Sequence, residues 1–286
     1  MKFNAISYRL ARKLAAKLSK YVSIKEKDFV KRETEDWYKI FKKEKSFTHK
    51  LSNNIKINLY SDSILSQLIY NGFEELELDF LKANLSSGDI FLDIGSNIGL
   101  FSLVASQRVG DAGLVVAYEP NPVTYSRLIE NIKTNNFDNI QTHNIGLSNS
   151  KSELDFYISK NGYDAWNSFA PEPSKLQEKI KVPVSTLDSL VKELDVERIK
   201  VIKIDVEGWE KFVLQGGQQF LTKFSPLLIV EFGEANALNA DYYVQELFAI
   251  LEDMGYKWYD IQRDLSLLPH RKKLAYTYSN LIAKKV

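Results

Sequence analysis

The sequence predicts an α/β fold in which helices cover both faces of a mostly parallel sheet. Apolar segments of strand length alternate with helical segments from about residue 90 onward. The first of these strands, Ile90–Ile94, is apolar on both faces and ends at a glycine turn that opens a helix. Strands of this kind are typical of buried parallel sheets. Because such sheets bind ligands at the carboxyl ends of their strands, we expect the functional site at that edge.

Composition and charge restrict the class of protein. A chain of 286 residues suffices for one large α/β domain or for a domain with an extension. The 38 basic and 37 acidic residues nearly cancel, so we expect no nucleic-acid partner. The absence of cysteine excludes disulfides and thiolate metal sites and favours a reducing compartment such as the cytoplasm. No apolar run reaches the roughly 18 residues of a membrane-spanning helix.

The first 45 residues differ in composition from the rest of the chain. Residues 1–24 contain six basic residues and no acidic one, with apolar residues at steps of three and four. This pattern predicts a basic amphipathic helix, which either docks on its own domain or makes a peripheral contact with an anionic membrane. A cleaved organelle presequence is a further alternative. Residues 25–45 have mixed charges and a helical apolar stripe, so we expect a helical extension over 1–45 and a domain over 46–286.

The predicted domain begins with a hairpin and two helices. Two strand-like segments flank Ser52-Asn53-Asn54, whose asparagines tolerate the positive φ of a tight turn. Two runs with helical periodicity follow and are separated by Asn71-Gly72. Because residues 47–85 immediately precede the first buried strand, they either cover the ligand pocket as a cap or extend the core.

The turn after the first buried strand has the features of a nucleotide-cofactor site. Asp93 is the one charge in the strand. Gly95 lets the backbone turn sharply, and Gly99 permits the close approach of a helix and a ligand. Ser96 or Asn97 is predicted to cap the following helix. A strand, a tight turn with exposed amides and a helix start together predict a cofactor site at the sheet edge.

The spacing of this turn separates two classes of cofactor. A pyrophosphate loop would have Gly-x-Gly-x-x-Gly, whereas Asn97 occupies the middle position here. The acidic Asp93 suits a cationic ligand group better than a phosphate, because like charges repel. A second strand, Leu114–Tyr118, ends at Glu119, whose carboxylate can bind both ribose hydroxyls. S-adenosylmethionine, which has an α-amino group and a ribose, fits both carboxylates.

Further elements complete the expected sheet. Pro122 suits the first turn of a helix. Gly146 opens a stretch that we expect to wrap an adenine ring with backbone groups. The aromatic segment 160–175 is predicted to be a loop that either binds the acceptor or packs on the surface. The other expected elements are strands at 140–145, 153–158, 180–184, 256–261 and 274–278 and a helix at 241–254.

A second informative stretch, residues 199–210, combines a buried strand with ionisable residues. Lys203, Asp205 and Glu207 follow one another at period two, so we expect all three on one side of an extended chain. Burying an unpaired charge costs several kcal/mol, so these groups must pair with one another, with a ligand or with water. Glu231, after the next predicted strand at 227–230, is expected at the same edge.

Four motifs, in chain order, resemble those of the FkbM-type methyltransferases. They are Asp93-Ile94-Gly95-Ser96-Asn97-Ile98-Gly99, Glu119-Pro120-Asn121-Pro122, Lys203-Ile204-Asp205-Val206-Glu207-Gly208 and Ile229-Val230-Glu231. The resemblance implies a Rossmann-like class I methyltransferase fold, S-adenosylmethionine as methyl donor and a hydroxyl acceptor, often on sugars or natural products. It also implies cofactor contacts at Asp93, Gly95, Asn97 and Glu119, and acceptor contacts at Asp205 and Glu207. We add Ser96, Gly99, Asn121 and Gly146 to the expected cofactor site.

Methyl transfer to an alcohol suggests roles for the second stretch. A sulfonium methyl is already activated, so the enzyme mainly holds the acceptor oxygen in line and helps to remove its proton. Asp205 is the first candidate for the base or acceptor anchor and Glu207 the second, with Lys203 orienting Asp205 or holding a substrate anion. The alternative is that Lys203 and Asp205 form only a buried structural pair. Because the sequence identifies two carboxylates and no third ligand, we expect no metal ion.

The sequence therefore predicts an S-adenosylmethionine-dependent O-methyltransferase that acts on a hydroxyl of a sugar, glycan or other small molecule. Two alternatives stay open at this point. One is a nicotinamide-dependent oxidoreductase, which the missing middle glycine disfavours. The other is a non-catalytic protein that binds the cofactor or a membrane surface. His49 and His270 are isolated from any expected ligand cluster, and His143 is expected to pack in the core.

Overall fold

The computed structural model describes Trp37 and residues 39–41, 44–51, 54–160, 167–171 and 176–285. The chain divides into two units, Met1–Phe47 and Thr48–Val286. In the first unit, the buried rings of Trp37 and Phe41 lie 4.9 Å apart in an edge-to-face arrangement. The amphipathic helix predicted for residues 1–24 lies outside the described residues. No helix within the described ranges has both the length and the apolar character of a membrane span.

Strands and helices alternate along most of the second unit, as predicted. The strands are β1 (Ser46–Lys50), β2 (Lys56–Tyr60), β3 (Ile90–Ile94), β4 (Leu114–Tyr118), β5 (Ile140–His143), β6 (Gly146–Leu147), β7 (Ser152–Ser159), β8 (Gln177–Ser185), β9 (Ile199–Ile204), β10 (Leu227–Phe232), β11 (Tyr256–Ile261), β12 (Leu267–Pro269) and β13 (Ser279–Lys285). The α-helices are α1 (Ile64–Tyr70), α2 (Glu75–Asn84), α3 (Leu100–Val109), α4 (Pro122–Asn135), α5 (Leu187–Leu190), α6 (Glu210–Gly216), α7 (Gln218–Phe224), α8 (Glu234–Asn239) and α9 (Glu246–Asp253).

Eight strands of the described chain form the central sheet, in the spatial order β12-β11-β13-β10-β9-β3-β4-β5. The strands from β10 to β5 in this order run parallel. β13 lies antiparallel between β10 and β11. The parallel half confirms the predicted α/β, Rossmann-like fold class. A dinucleotide-binding sheet consists mostly of parallel strands. The central sheet differs from it because the antiparallel strand β13 lies next to β10.

The register of the central strands places their carboxyl ends side by side. Ile94, at the end of β3, is the partner of Tyr118 in β4 and of Ile204 in β9. All five residues of β3 are buried, as its apolar sequence requires. Burial of a large apolar side chain stabilises the fold by about 1.5–3 kcal/mol. The buried strand therefore fixes the position of the turn that follows it. The residues that follow β3, β4 and β9 therefore emerge together at one edge of the sheet.

A smaller three-stranded sheet, in the order β6-β8-β7, accompanies the central one. β7 and β8 pair antiparallel from Ser152 with Val184 to Ser159 with Gln177. Phe156 and Phe169 lie in its small hydrophobic core, and Trp209 packs against that core. The predicted loop at 160–175 connects β7 and β8. Its residues 161–166 and 172–175 lie outside the described part of the chain.

Three expectations about secondary structure are wrong. Helix α3 starts after Gly99, and neither Ser96 nor Asn97 caps it. A capping residue needs an extended backbone, whereas Asn97 and Gly99 have φ angles of +48° and +97°. Residues 274–278 form no strand, since Leu274 is fully exposed and the closing strand is β13. The helix expected from residue 241 begins only at Glu246, because the preceding residues form turns.

Candidate active site

A cavity of about 750 Å³ lies at the carboxyl ends of the central strands. The sequence-predicted residues that line it are Asp93, Gly95, Ser96, Asn97, Glu119, Gly146, Lys203, Asp205 and Glu207. Gly99 and Asn121 are not among the lining residues. Asn121 instead caps α4 by accepting the Val123 N–H at 3.0 Å. A cavity of this volume is typical of a site for a small molecule or cofactor.

The turn at Gly95 brings the two informative stretches of sequence into contact. Gly95 has a φ of +85°, and a Cβ atom there would lie 1.7 Å from the carbonyl oxygen of Asp205. The Asp205 N–H donates to the Ile94 carbonyl at 3.0 Å. Only glycine combines this backbone conformation with such a close approach. The residues expected to bind the cofactor and those expected to bind the acceptor therefore share one wall.

Two polar side chains near this turn are buried at the cavity. Asp93 is 1% exposed and accepts a hydrogen bond from the Ser102 hydroxyl at 2.5 Å. Burial raises the pKa of Asp93, and the nearby Lys203 ammonium opposes this shift. The buried Ser96 Oγ has no hydrogen-bond partner among the described residues. Leaving a buried hydroxyl unpaired costs about 1–3 kcal/mol, so Ser96 is suited to receive a polar group of a ligand.

The orientation of Glu119 is set by the backbone. Its Oε2 accepts the Asn97 N–H at 2.9 Å, and its Oε1 accepts the Asn121 N–H at 2.9 Å. The carboxylate thus joins the turn after β3 to the start of α4. Beside it, Tyr118 stacks on the half-buried His143 with 5.1 Å between ring centroids. The ribose contact predicted for Glu119 would therefore fall on a rigidly held carboxylate.

Lys203 is a buried cation in the same cavity, and it is the register partner of Asp93 in β3. Its Nζ lies 2.5 Å from Asp205 Oδ2 and 4.6 Å from the centre of the Phe101 ring. Burial alone would lower the pKa of Lys203, but the surrounding carboxylates, first that of Asp205, raise it. Pairing between Lys203 and Asp205, one of the arrangements that the sequence left open, is therefore what the structure contains.

Glu207 reaches the cavity in a different conformation from the one predicted. β9 ends at Ile204, and Glu207 has a φ of +53°, so the chain is not extended there. The Ser168 hydroxyl donates to the Glu207 carbonyl at 2.6 Å, and the Asn236 amide donates to its Oε2 at 2.5 Å. Burial, followed by the charge of Asp205, raises the pKa of Glu207. Left-handed non-glycine residues cost about 1–3 kcal/mol and cluster at functional sites.

Buried Glu210 supports the turn that contains Glu207. Its Oε1 accepts the N–H groups of Val206 and Gly208 at 3.0 and 3.2 Å. The Tyr242 hydroxyl donates to its Oε2 at 3.2 Å. Burial raises the pKa of Glu210 to about 7. The turn that contains Glu207 is therefore stabilised by the Glu210 side chain, which does not line the cavity.

Glu231 joins Asp205 and Glu207 in a group that we call the carboxylate cluster. It lies within β10 rather than after it, because this strand extends to Phe232. Each of the three residues offers an oxygen, and these oxygens lie within 4.8 Å of one another. Glu231 is 2% exposed, and its Oε2 has no hydrogen-bond partner in the described part of the chain. Burial raises the pKa of Glu231, and the charges of Glu207 and Asp205 raise it further.

The lining residues that sequence reasoning missed include Glu74, Asn236 and Tyr278. Glu74, with a φ of +54°, precedes α2 and accepts hydrogen bonds from the Tyr278 hydroxyl at 2.6 Å and the Asn280 amide at 2.5 Å. Glu74 and Tyr278 are 204 positions apart. No local motif distinguishes such residues from solvated surface residues, so only the fold reveals them.

The aromatic loop contributes to the site in part. Asn167 and Phe169, from the described part of segment 160–175, line the cavity. Trp209 does not line it. Its ring lies 5.5 Å from that of Phe169, and its indole N–H donates to Ser148 Oγ at 3.2 Å. Trp209 is therefore a packing residue that supports the wall formed by Phe169.

The family profile described as "Methyltransferase FkbM domain" matches residues 93–258 of this chain. The chain belongs to the FkbM methyltransferase family. As a member of this family it is a methyltransferase. The alternative of a nicotinamide-dependent oxidoreductase is therefore wrong. The match begins at Asp93 and includes the whole carboxylate cluster, whereas Glu74 and Tyr278 lie outside it.

Curated relatives of this FkbM family member include three methyltransferases. Methyltransferase sdnD of Sordaria araneosa is 29% identical over 210 residues, which cover 64% of this chain and 78% of sdnD. Hexuronic acid methyltransferase AglP of Haloferax volcanii is 32% identical over 143 residues, covering 50% of this chain and 56% of AglP. The 2-O-methyltransferase NoeI of Sinorhizobium fredii is 30% identical over 147 residues, covering 47% of this chain and 59% of NoeI. The chain thus spans little more than half the length of AglP and NoeI.

Solved structures with a similar fold include two methyltransferases. Methyltransferase FkbM from Methylobacillus flagellatus has 15% identity and a TM-score of 0.46, covering 70% of this chain and 44% of that chain. The putative methyltransferase SMU.1697c from Streptococcus mutans, in complex with SAH, has 12% identity and a TM-score of 0.44, covering 74% of this chain and 97% of that chain.

Proposed function

We propose that this protein transfers a methyl group from S-adenosylmethionine to a hydroxyl of a sugar or glycan. The single observation that carries the proposal is the shared cavity, which is lined both by the expected donor-binding residues, which we call the donor end, and by Lys203 and the carboxylate cluster, which we call the acceptor end. Two relatives support an oxygen acceptor on a carbohydrate, since AglP is a hexuronic acid methyltransferase and NoeI is a 2-O-methyltransferase.

The donor end fits S-adenosylmethionine in its chemistry. The Asp93 carboxylate would hold the α-amino group, and the unpaired Ser96 hydroxyl would bind the amino-acid part of the donor. The backbone-oriented Glu119 carboxylate would accept the ribose hydroxyls. When bound, S-adenosylmethionine supplies a sulfonium methyl group that is already activated for transfer.

The acceptor end fits an alcohol. We assign to Asp205 the role of the base that takes the hydroxyl proton or of the group that anchors the acceptor while its oxygen attacks. Lys203 positions Asp205 through their 2.5 Å ion pair. A sugar offers several further hydroxyls, and Glu74, Asn236 and Tyr278 supply carboxylate, amide and phenol groups that bind hydroxyls.

Calorimetry and a substrate panel test the proposed function. We expect saturable binding of S-adenosylmethionine and S-adenosylhomocysteine and none of NADH. Incubation with radiolabelled donor and a panel of glycosides, uronic acids and lipids should label a carbohydrate hydroxyl, which fragmentation mass spectrometry would locate. Failure to bind either sulfur ligand would refute the proposal, and methylation of nitrogen or carbon would refute the acceptor class. Donor binding without methylation of any acceptor would favour the non-catalytic alternative.

Peripheral membrane contact through residues 1–24 remains a separate proposal from the sequence. Six basic residues without an acidic one favour an anionic lipid surface. We expect salt-sensitive co-sedimentation with vesicles that contain phosphatidylserine and none with neutral phosphatidylcholine vesicles. Replacement of Lys2, Lys13, Lys17 and Lys20 by Gln should abolish it. Association that is absent, or insensitive to salt, would contradict the proposal.

A further inference from the structure

The carboxylate cluster has the spacing of a cation site. Asp205, Glu207 and Glu231 offer three oxygens within 4.8 Å of one another. Oxygens bound to opposite sides of Mg²⁺ or Ca²⁺ lie roughly 4–5 Å apart, from metal–oxygen distances of 2.0–2.6 Å. One ion placed between these three side chains can therefore reach all of them without a rearrangement of the backbone.

The unpaired oxygen of Glu231 is a second, independent observation. Lys203 donates to Asp205 Oδ2, and the Asn236 amide donates to Glu207 Oε2. Glu231 Oε2 has no such donor within the described residues, although Glu231 is only 2% exposed and lines the cavity. A buried carboxylate oxygen without a donor is costly, because it has lost the hydrogen bonds of water. A cation at the cluster would satisfy it.

The charges that line the cavity also favour a cation. Lys203 is the one basic residue among the described lining residues, whereas the acidic ones are Glu74, Asp93, Glu119, Asp205, Glu207 and Glu231. Asp93 and Glu119 lie at the donor end, where the positive groups of S-adenosylmethionine would offset their charge. Lys203 is both the register partner of Asp93 and the ion-pair partner of Asp205, so its single ammonium does not balance the charge of the carboxylate cluster.

We propose that Asp205, Glu207 and Glu231 bind one divalent cation of the Mg²⁺ or Mn²⁺ class. Carboxylate oxygens are the ligands that these hard cations prefer, and water would complete the coordination. The position of the ion, at the acceptor end of the cavity, lets it hold a hydroxyl pair of the acceptor in place of two waters. That role rests on the proposed function, whereas the binding of the ion does not. The sequence predicted no metal because only two of the three ligands were recognised in it.

Electron paramagnetic resonance of Mn²⁺ tests the site on the full chain after treatment with EDTA and dialysis. We expect the signal of free Mn²⁺ to fall until one ion is bound per chain, both with and without saturating S-adenosylhomocysteine. Added Mg²⁺ should displace the Mn²⁺ and restore the signal. The variants Glu231→Gln and Glu207→Gln should each weaken Mn²⁺ binding by more than roughly tenfold, since even loss of an outer-shell partner costs 10–100-fold.

The matched control is Glu119→Gln, which makes the same chemical change in the same cavity but outside the carboxylate cluster. It should retain Mn²⁺ binding, and circular dichroism melts would establish which variants fold. Absence of saturable Mn²⁺ binding, or binding unchanged in both cluster variants, would overturn the inference. Calorimetry with S-adenosylhomocysteine on the same samples separates the two proposals. Donor binding without an ion refutes only the metal site, and ion binding without the donor refutes only the proposed function.

Discussion

The two ends of the cavity are built in different ways. At the donor end, positive φ angles fall on Gly95 and Asn97, residue types that adopt this conformation at low cost. At the acceptor end they fall on Glu74 and Glu207, for which the left-handed conformation is strained. The donor end is thus a relaxed turn, whereas the acceptor end depends on surrounding contacts to hold strained carboxylates in place.

The two ends also differ in how their side chains are held. Glu119 at the donor end is oriented by two backbone amides. Glu207 and Glu74 at the acceptor end depend on side chains from distant segments, namely Asn236 and Tyr278. Glu74 and Tyr278 also lie outside the family match.

The largest expected effect separates the two ends by activity. Asp205→Asn should lower kcat by about 10²–10⁴-fold, because the acceptor hydroxyl would lose its base or its anchor. The affinity for S-adenosylhomocysteine should change by less than about threefold, since the role proposed for the Asp205 side chain is toward the acceptor. Steady-state kinetics and calorimetry would measure the two quantities. A loss of donor affinity as large as the loss of kcat would show that donor binding and acceptor activation do not depend on separate residues.

The second prediction concerns the wall that both ends share. Gly95→Ala should destabilise the fold by about 3 kcal/mol or more, because the new Cβ would lie 1.7 Å from the Asp205 carbonyl oxygen. The matched control is Gly88→Ala, where φ is +91° and no atom lies within 4 Å of the Cβ position. That variant should cost only the backbone strain of about 1–2 kcal/mol. Urea unfolding would compare them, and equal losses would show that the close contact with Asp205 does not matter.

The third prediction tests the donor end alone. Glu119→Gln should weaken S-adenosylhomocysteine by about 10–100-fold, the equivalent of a charged hydrogen bond worth roughly 1.5–3 kcal/mol. The control is Glu74→Gln at the acceptor end, which should leave donor affinity nearly unchanged. Calorimetry measures both affinities. If the control weakened the donor as much as Glu119→Gln does, the two ends would not be separate sites.

The smallest expected effect is a pH dependence of the free energy of unfolding that comes from Glu210, the residue that supports the Glu207 turn. Burial raises the pKa of Glu210 to about 7, so the folded state holds a proton that the unfolded state releases near pH 4.3. The stability that this proton contributes is complete below about pH 4.3 and is lost as pH rises to about 7. Glu210→Gln removes this loss, so the variant should gain about 1–3 kcal/mol relative to the wild type across that range.

The control for this prediction has the opposite sign. The hydrogen bond from Lys211 lowers the pKa of Glu246, so its contribution is present at neutral pH and is lost as pH falls. Glu246→Gln should therefore lose stability relative to the wild type as pH rises from about 3 to 5. Urea unfolding at a series of pH values measures both variants. Parallel curves for Glu210→Gln and the wild type would contradict the assignment.

Local sequence was enough to predict much of the fold and one end of the site. The strands at 90–94, 114–118 and 256–261 are confirmed with the same ends, because short segments rich in apolar and aromatic residues and bounded by turns have few alternatives. Asp93, Gly95, Ser96, Asn97 and Glu119 line the cavity because each lies within three residues of the carboxyl end of a parallel strand. The helix cap at Ser96 or Asn97 was predicted wrongly because it depends on backbone angles rather than on residue type.

Sequence by itself determined the α/β fold and the family, and it predicted which residues bind the donor, since these depend on short motifs at strand ends. The sequence placed Glu231 at the same edge as Asp205 and Glu207, but tertiary structure alone brought their oxygens within 4.8 Å of one another. Tertiary structure alone also decided that Glu74 meets Tyr278 across 204 positions. It also gave Glu207 a left-handed backbone, where periodicity predicted an extended one. The physical reason is that contacts between distant segments are selected by the packing of the whole sheet, which no short stretch of sequence contains.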